Sequence, residues 1–238
     1  MIVIYGLVVL LGSIIQGITG FGAGLLITPI LGLFTDTRVL VPLLTLSYFS
    51  INLSNVIELN KSVNIKNILI VTIFALICTP VGVQIAQSIS ISMFNLVIGT
   101  LIFVMGLIFV LNIKVEMKQT KIKDIFFGSL SGIFNGISSL GGPPVIIYFA
   151  GMQMDKNQFR GMNSLYFLLL NIVNLISYFM IGDISVLSLY NILLFVGCSL
   201  AGAQIGRMIV GKVNDQLFKK IIAYTLLFNG VIAILLAL

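Results

Sequence analysis

From Ile2 to Phe34 the chain runs for 33 residues without a charged side chain. A single helix of that length would be about 50 Å long, against a hydrocarbon core of roughly 30 Å, so the stretch has to break. The break is written in Gln16-Gly17-Ile18-Thr19-Gly20-Phe21-Gly22-Ala23-Gly24, because glycine relaxes backbone limits and weakens helices. Irregular backbone at membrane depth survives only where protein buries it or where it lines a wet cavity. The stretch therefore reads as the first half of a transport site.

The rest of the composition agrees with a membrane chain. Of 238 residues, 59% are hydrophobic and only 8% charged, and mean hydropathy is +1.18, whereas about a quarter of the residues in a soluble domain carry charge. The longest polar stretch, Asn112 to Asp124, reads as a loop, which leaves no room for a large soluble domain. The net charge of +6 comes from basic residues scattered singly and in short loops, a pattern of membrane topology and not of nucleic-acid binding. No Lys or Arg precedes the apolar run in residues 1–15, so a secretory signal peptide is not expected. The chain has no His, which excludes the usual zinc sites and His-based catalysis. Cys78 and Cys198 each lie in an apolar span and read as small buried hydrophobes; a sulfur-handling thiol pair is the alternative. No metal, cofactor or catalytic residue is expected.

Apolar segments lie at about 2–34, 39–57, 67–89, 93–113, 125–150, 161–182, 184–211 and 217–238. If the two glycine-broken segments, the first and the fifth, crossed once, Lys and Arg would divide seven against six between the faces. If each crosses an even number of times, as a hairpin or a pair of helices, one face receives twelve basic residues and the other only Arg38. That bias is a positive-inside signal. It places both termini outside and the loops around 61–66, 114–123, 156–160 and 207–220 in the cytoplasm.

Each half then makes an odd number of crossings, and the halves insert in opposite orientations. An offset of 119 residues lays Gln16-Gly17-Ile18-Thr19 over Asn135-Gly136-Ile137-Ser138, Asn52 over Asn171 and Asn55 over Asn174. An offset of 120 lays Gly82-Val83-Gln84-Ile85 over Gly202-Ala203-Gln204-Ile205, and Cys78 over Cys198. Agreement of apolar letters is cheap in membrane spans, but scarce Asn and Gln recurring at one offset is not. The expected fold is all-α and polytopic, one transmembrane domain of two inverted repeats, residues 1–119 and 120–238. Each repeat has a glycine-broken re-entrant or paired half-helix unit followed by three transmembrane helices. Inverted repeats with broken helices place a binding site at their interface.

The second break reads Asn135-Gly136-Ile137-Ser138-Ser139-Leu140-Gly141-Gly142-Pro143-Pro144. Proline is favoured at a helix start, so a half-helix is expected from Pro143 and its counterpart from near Gly22. Helix N-termini offer free N–H groups and partial positive charge to an anion. The expected binding residues are Gln16, Thr19, Gly20, Phe21, Gly22, Asn135, Ser138, Ser139, Gly141, Gly142 and Pro143. The competing reading of the glycines is close helix packing, Gly20 and Gly24 being a small-xxx-small pair. Asn52 with Asn55, and Asn171 with Asn174, each share a helix face. With Gln84 and Gln204, they either line the path or bond neighbouring helices. No Asp or Glu falls in the middle of a span, so proton coupling through a buried acid has no visible carrier; Glu58 sits near the cytoplasmic mouth. Arg207, at the inner end of the seventh span, either snorkels to the headgroups or draws anions toward the site.

At these two breaks the chain resembles the sulfite exporter TauE/SafE family, also called the 4-toluene sulfonate uptake permease family. The resemblance covers the whole length in two similar halves, although the loops here are too short for the substrate domain or regulatory loop of larger relatives. It implies a multi-pass plasma-membrane permease for small sulfur-containing or organic anions such as sulfite, sulfoacetate and other sulfonates, exported or imported. The partners expected are a small anion and the lipid bilayer, with no nucleic acid; a homodimer is compatible with the size. The alternative from another class is a non-transporting membrane scaffold whose glycines serve packing alone.

Overall fold

Polar residues that a hydropathy profile passes over set several of the helix starts. The hydroxyls of Ser90, Thr120 and Ser188 accept the N–H three residues on, from Met93 (3.2 Å), Lys123 (3.3 Å) and Asn191 (3.2 Å). Asp155 accepts from Asn157 and Gln158, and Asn214 from Leu217. Each is an N-cap that satisfies donors the first turn leaves free. The computed structural model describes residues 2–32, 34, 37–60, 65–86, 88, 90–111, 116–138, 142–152, 154–181 and 188–235. Its order is α1 (Ile2–Thr19), α2 (Ala23–Gly32), α3 (Thr37–Glu58), α4 (Ile65–Ala86), α5 (Ile91–Val110), α6 (Lys121–Ser138), α7 (Gly142–Gly151), α8 (Lys156–Ile181), α9 (Leu189–Val210) and α10 (Asp215–Leu235).

Both glycine-broken segments divide into a longer and a shorter helix. The 18 residues of α1 rise about 27 Å and the 10 residues of α2 about 15 Å, so α2 is too short to cross a bilayer. It folds back along α1: a Cβ added to Gly12 would lie 2.5 Å from Ile27. The lengths repeat in α6 and α7, 18 and 10 residues.

The caps correct two boundaries. Thr120 starts α6 at Lys121, so Asp124, read from sequence as the end of a loop, lies in the first helical turn and is buried. Asp155 starts α8 at Lys156, so Arg160 is helical and buried instead of lying in a cytoplasmic loop. α7 begins at Gly142, with Pro143 and Pro144 in its first turn, where proline is tolerated.

Packing is made mostly between the halves. α1 lies against α9 and α4 against α6, α3 meets α8, and α5 meets α10. Glycine lets the first two pairs touch backbone to backbone. A Cβ at Gly17 would fall 2.4 Å from the Ala203 carbonyl oxygen, and one at Gly206 2.3 Å from that of Ile14. On the other pair, a Cβ at Gly132 would fall 2.2 Å from the Ala75 oxygen and one at Gly82 2.1 Å from that of Ile133. The contacts climb together along the sequence, Gly6 near Cys198 and Gly206 near Ile14, which makes α1 and α9 parallel; Gly128 on Val71 and Gly132 on Ala75 make α4 and α6 parallel as well. Gly106 on Leu227 and Gly230 on Phe103 make α5 and α10 antiparallel.

Leu7, Leu11, Ile57, Ile73, Ile77, Leu193 and Met208 point outward and exposed, as lipid-facing residues do. Residues 65–82 of α4, 156–176 of α8 and the whole of α9 are each long and apolar enough to cross a membrane. Cys78 and Cys198 are free and half-buried.

Candidate functional site between two broken helices

The first break turns at Gly20 and Gly22, whose φ angles are +83° and +98°, values that L side chains avoid. Gly20 is also pressed on α8, where its Cβ would lie 2.6 Å from Arg160 backbone atoms. Gly22 is different, because the nearest atom to an added Cβ is Thr225 Cγ2 at 3.7 Å. Helix packing therefore does not require glycine at 22; the backbone angle does. The Thr19 hydroxyl locks the turn, donating within α1 to the Ile15 carbonyl (2.8 Å), facing the Phe21 carbonyl (2.7 Å) and standing 3.3 Å from the Phe21 N–H. Thr19 is thus committed to the break's own backbone.

Behind the turn lies a cavity of about 70 Å³, well above the roughly 10–15 Å³ that one water needs. Its wall includes Gly22, just before the first turn of α2, and Gly142, the first residue of α7. Gln16 and Asn135 line it from α1 and α6; Tyr48 and Asn52 line it from α3, and Phe167, Asn171 and Asn174 from α8. Three of these pairings, Gln16 with Asn135, Tyr48 with Phe167 and Asn52 with Asn171, stand at the 119-residue offset. Among the described lining residues none is charged.

Gln16 Nε2 donates to Asn52 Oδ1 at 2.8 Å. Asn52 is 1% exposed, and its Nδ2 has no partner. A buried amide donor left unmade costs about 1–3 kcal/mol, and at the wall of a cavity it is a donor waiting for an acceptor.

The other expected residues fall elsewhere. Asn55 donates to Ser164 Oγ (3.1 Å) and accepts from Arg207 (3.3 Å), so it bonds neighbouring helices and is absent from the cavity wall. Gln204 is exposed and also binds Arg207, while Gln84 is exposed. Gly20 and Pro143 are buried but lie outside the cavity wall; Phe21 is part of it. Ser139 and Gly141 lie outside the described residues, as does the side chain of Ser138.

Arg207 is held by protein side chains. Its guanidinium lies 2.9 Å from the Glu58 carboxylate and donates to Ser54 Oγ at 2.7 Å, to Asn55 and to Gln204. The C-terminal ends of α3 and α9 are thereby tied together. Glu58 and Arg207 were visible in sequence, but their pairing spans 149 residues and left no local sign.

The family model for the sulfite exporter TauE/SafE matches residues 5–232. The chain belongs to the TauE/SafE family. No curated protein and no solved structure matches it. The family is one of membrane transporters.

A larger cavity, about 520 Å³, lies at the far end of α7, between Gly151 and the linker Glu116–Gln119. It is bounded in part by exposed side chains of that linker and contains neither break, whereas the smaller cavity joins both. Beside the larger one is the acid that sequence reading left in a loop: Asp124 accepts from Tyr148 Oη (2.6 Å) and from Gln119 Nε2 (3.2 Å). It stands in the first turn of α6, where a carboxylate complements the helix dipole.

Proposed function

We propose that this TauE/SafE protein exports a small oxyanion, sulfur-containing or organic, by alternating access, and that residues 1–119 and 120–238 are inverted repeats meeting at the central cavity. The observation that carries the reading is the meeting of Gly22 and Gly142 on one cavity wall, since each stands at the start of a half-helix whose dipole favours an anion; in α7 the first-turn donors are only those of Gly142 and Val145, because Pro143 and Pro144 carry no N–H. The unpaired Asn52 donor adds a hydrogen bond without a fixed charge that would hold the ion too tightly. Support for the repeats comes from the packing: exchanging α1–α5 for α6–α10 turns the α1–α9 contact into α6–α4 and leaves α3–α8 and α5–α10 unchanged.

In this reading the protein sits in the plasma membrane with both termini outside, as the sorting of basic residues supports, eleven to one once the buried Arg160 is left out. An inside-negative potential drives an anion outward by about 2.3 kcal/mol per charge per 100 mV, so export needs no carboxylate in the cavity. The scaffold alternative requires glycines that serve packing only, and Gly22 is not such a glycine.

Proteoliposomes holding the purified protein, given radiolabelled sulfite or a short sulfonate under an imposed potential, are expected to move the anion faster than empty vesicles. Asn52→Ala, which removes the unpaired donor, is expected to raise KM about tenfold, the 1.4 kcal/mol of one hydrogen bond. Flux equal to that of empty vesicles for every small oxyanion tried sinks the proposal.

A further inference from the structure

Arg160 is the largest fully buried side chain in the molecule's described residues, 1% exposed and five residues into α8. Its Nη2 donates to the carbonyl of Gly17, one of the last four of α1, at 2.8 Å. Its Nε has no partner, and among the described residues no carboxylate pairs with it; Glu58, the acid of this region, is taken by Arg207. A buried guanidinium with no carboxylate in contact is costly, and the more distant Glu58 charge and the negative end of the α1 dipole offset only a part of that cost. Charged groups inside a membrane protein are rare and mark ion pathways.

The unpaired atom has a particular place on the guanidinium. Nε and Nη2 form the side edge of the planar group, the fork that grips two oxygens of one oxyanion. In Arg160 one tine of that fork holds a backbone carbonyl and the other is empty. The residue also has a particular place on its helix. Arg160, Ser164, Phe167, Asn171 and Asn174 follow one another at steps of three and four and so share a face, and the last three line the central cavity. Phe167 is two turns, about 10 Å, from Arg160 along α8. On α1 the separation is shorter still: Gln16 lines the cavity and the next residue, Gly17, holds Arg160.

We propose that Arg160 is a second binding station for the transported oxyanion, between the central cavity and the cytoplasmic ends of α3 and α9. When the end of α1 withdraws the Gly17 carbonyl, Nε and Nη2 take two oxygens of the same ion. The positive-φ turn at Gly20 and Gly22 is where α1 ends and the chain can bend. Oxyanions presenting two terminal oxygens, such as sulfite, sulfonates and carboxylates, fit the fork; halides do not. The assignment rests on the transport reading above and adds a residue that the cavity itself does not contain.

The test compares Arg160→Lys with wild type in the proteoliposome assay. Lysine keeps the charge and can still reach the Gly17 carbonyl, but it has no fork. The expected result is a KM for sulfite or a short sulfonate raised about tenfold or more, with chloride competing more effectively than against wild type and thermal stability in detergent little changed. Arg160→Gln, lacking the charge, is expected to lose transport. If wild type transports and Arg160→Lys matches it in KM and in chloride competition, the assignment fails while the transport reading stands. Flux that falls only in proportion to the folded fraction of the variant overturns it equally. Absence of transport by wild type removes both.

Discussion

In the first hairpin the polar contacts gather at the break, where Thr19 locks the turn and Arg160 holds the Gly17 carbonyl of α1. In the second they gather at the open end, where Tyr148 and Gln119 bind Asp124 at the start of α6. The two hairpins have the same lengths, and each lies through glycine on a helix of the other half. What differs is which end is tied. In the orientation proposed above, α1 ends and α6 begins toward the cytoplasm, so both fastenings lie on one side of the cavity, together with the Glu58–Arg207 pair. The position equivalent to Arg160 at the 119-residue offset is Val41, and that equivalent to Ser164 is Thr45. If the halves are the inverted repeats proposed above, they carry unrelated fastenings at matching positions.

The comparison can be broken first at what the hairpins share. Gly206→Ala, on the α1 contact, and Gly132→Ala, on the α6 contact, each push a methyl into a backbone carbonyl. Both are expected to destabilise by about 3 kcal/mol, read as a lower melting temperature in detergent. A large loss in one and none in the other means that the halves are not packed alike. Next comes the break. Gly20→Ala meets both a forbidden φ and the Arg160 backbone, whereas Gly22→Ala meets only the φ. The first is expected to cost about 2 kcal/mol and the second about 1 kcal/mol, by the same measurement; equal losses remove the clamp on α8 from the account. The smallest effect belongs to the open end of the second hairpin. Tyr148→Phe leaves Asp124 its bond from Gln119 and is expected to cost about 1 kcal/mol with sulfite KM unchanged, since neither residue lines the cavity. A shifted KM would bring Asp124 into the transport cycle.

The breaks were legible because hydropathy, glycine and bilayer thickness are all local quantities: a run of 33 uncharged residues has to bend wherever it is put. The repeated Asn and Gln positions were legible because amide side chains stand out inside apolar spans. Three features were hidden, each for a physical reason. Asp124 and Arg160 were left in loops because their helices begin at polar caps, Thr120 and Asp155, five to six residues before the apolar runs; cap spacing in the sequence carries that signal. Asn55 and Asn174 stand at the same offset, yet Asn55 is bonded to Ser164 and Arg207 while Asn174 lines the cavity. An offset compares letters, and the partner that decides the role comes from another helix. Thr19 was drawn into the site by its neighbours in sequence, but the turn at Gly20 claims its hydroxyl.

The exchanged packing of α1 on α9 also sets a schedule for making the protein. Gly6 rests beside Cys198, 192 residues later. At synthesis rates of about 5–20 residues per second, the glycine face of α1 spends on the order of 10–40 s in the membrane before its partner exists. α6 waits for nothing, because α4 has already been made when it emerges. Of the two glycine-faced helices, α1 is made before α6 and finds its place after it.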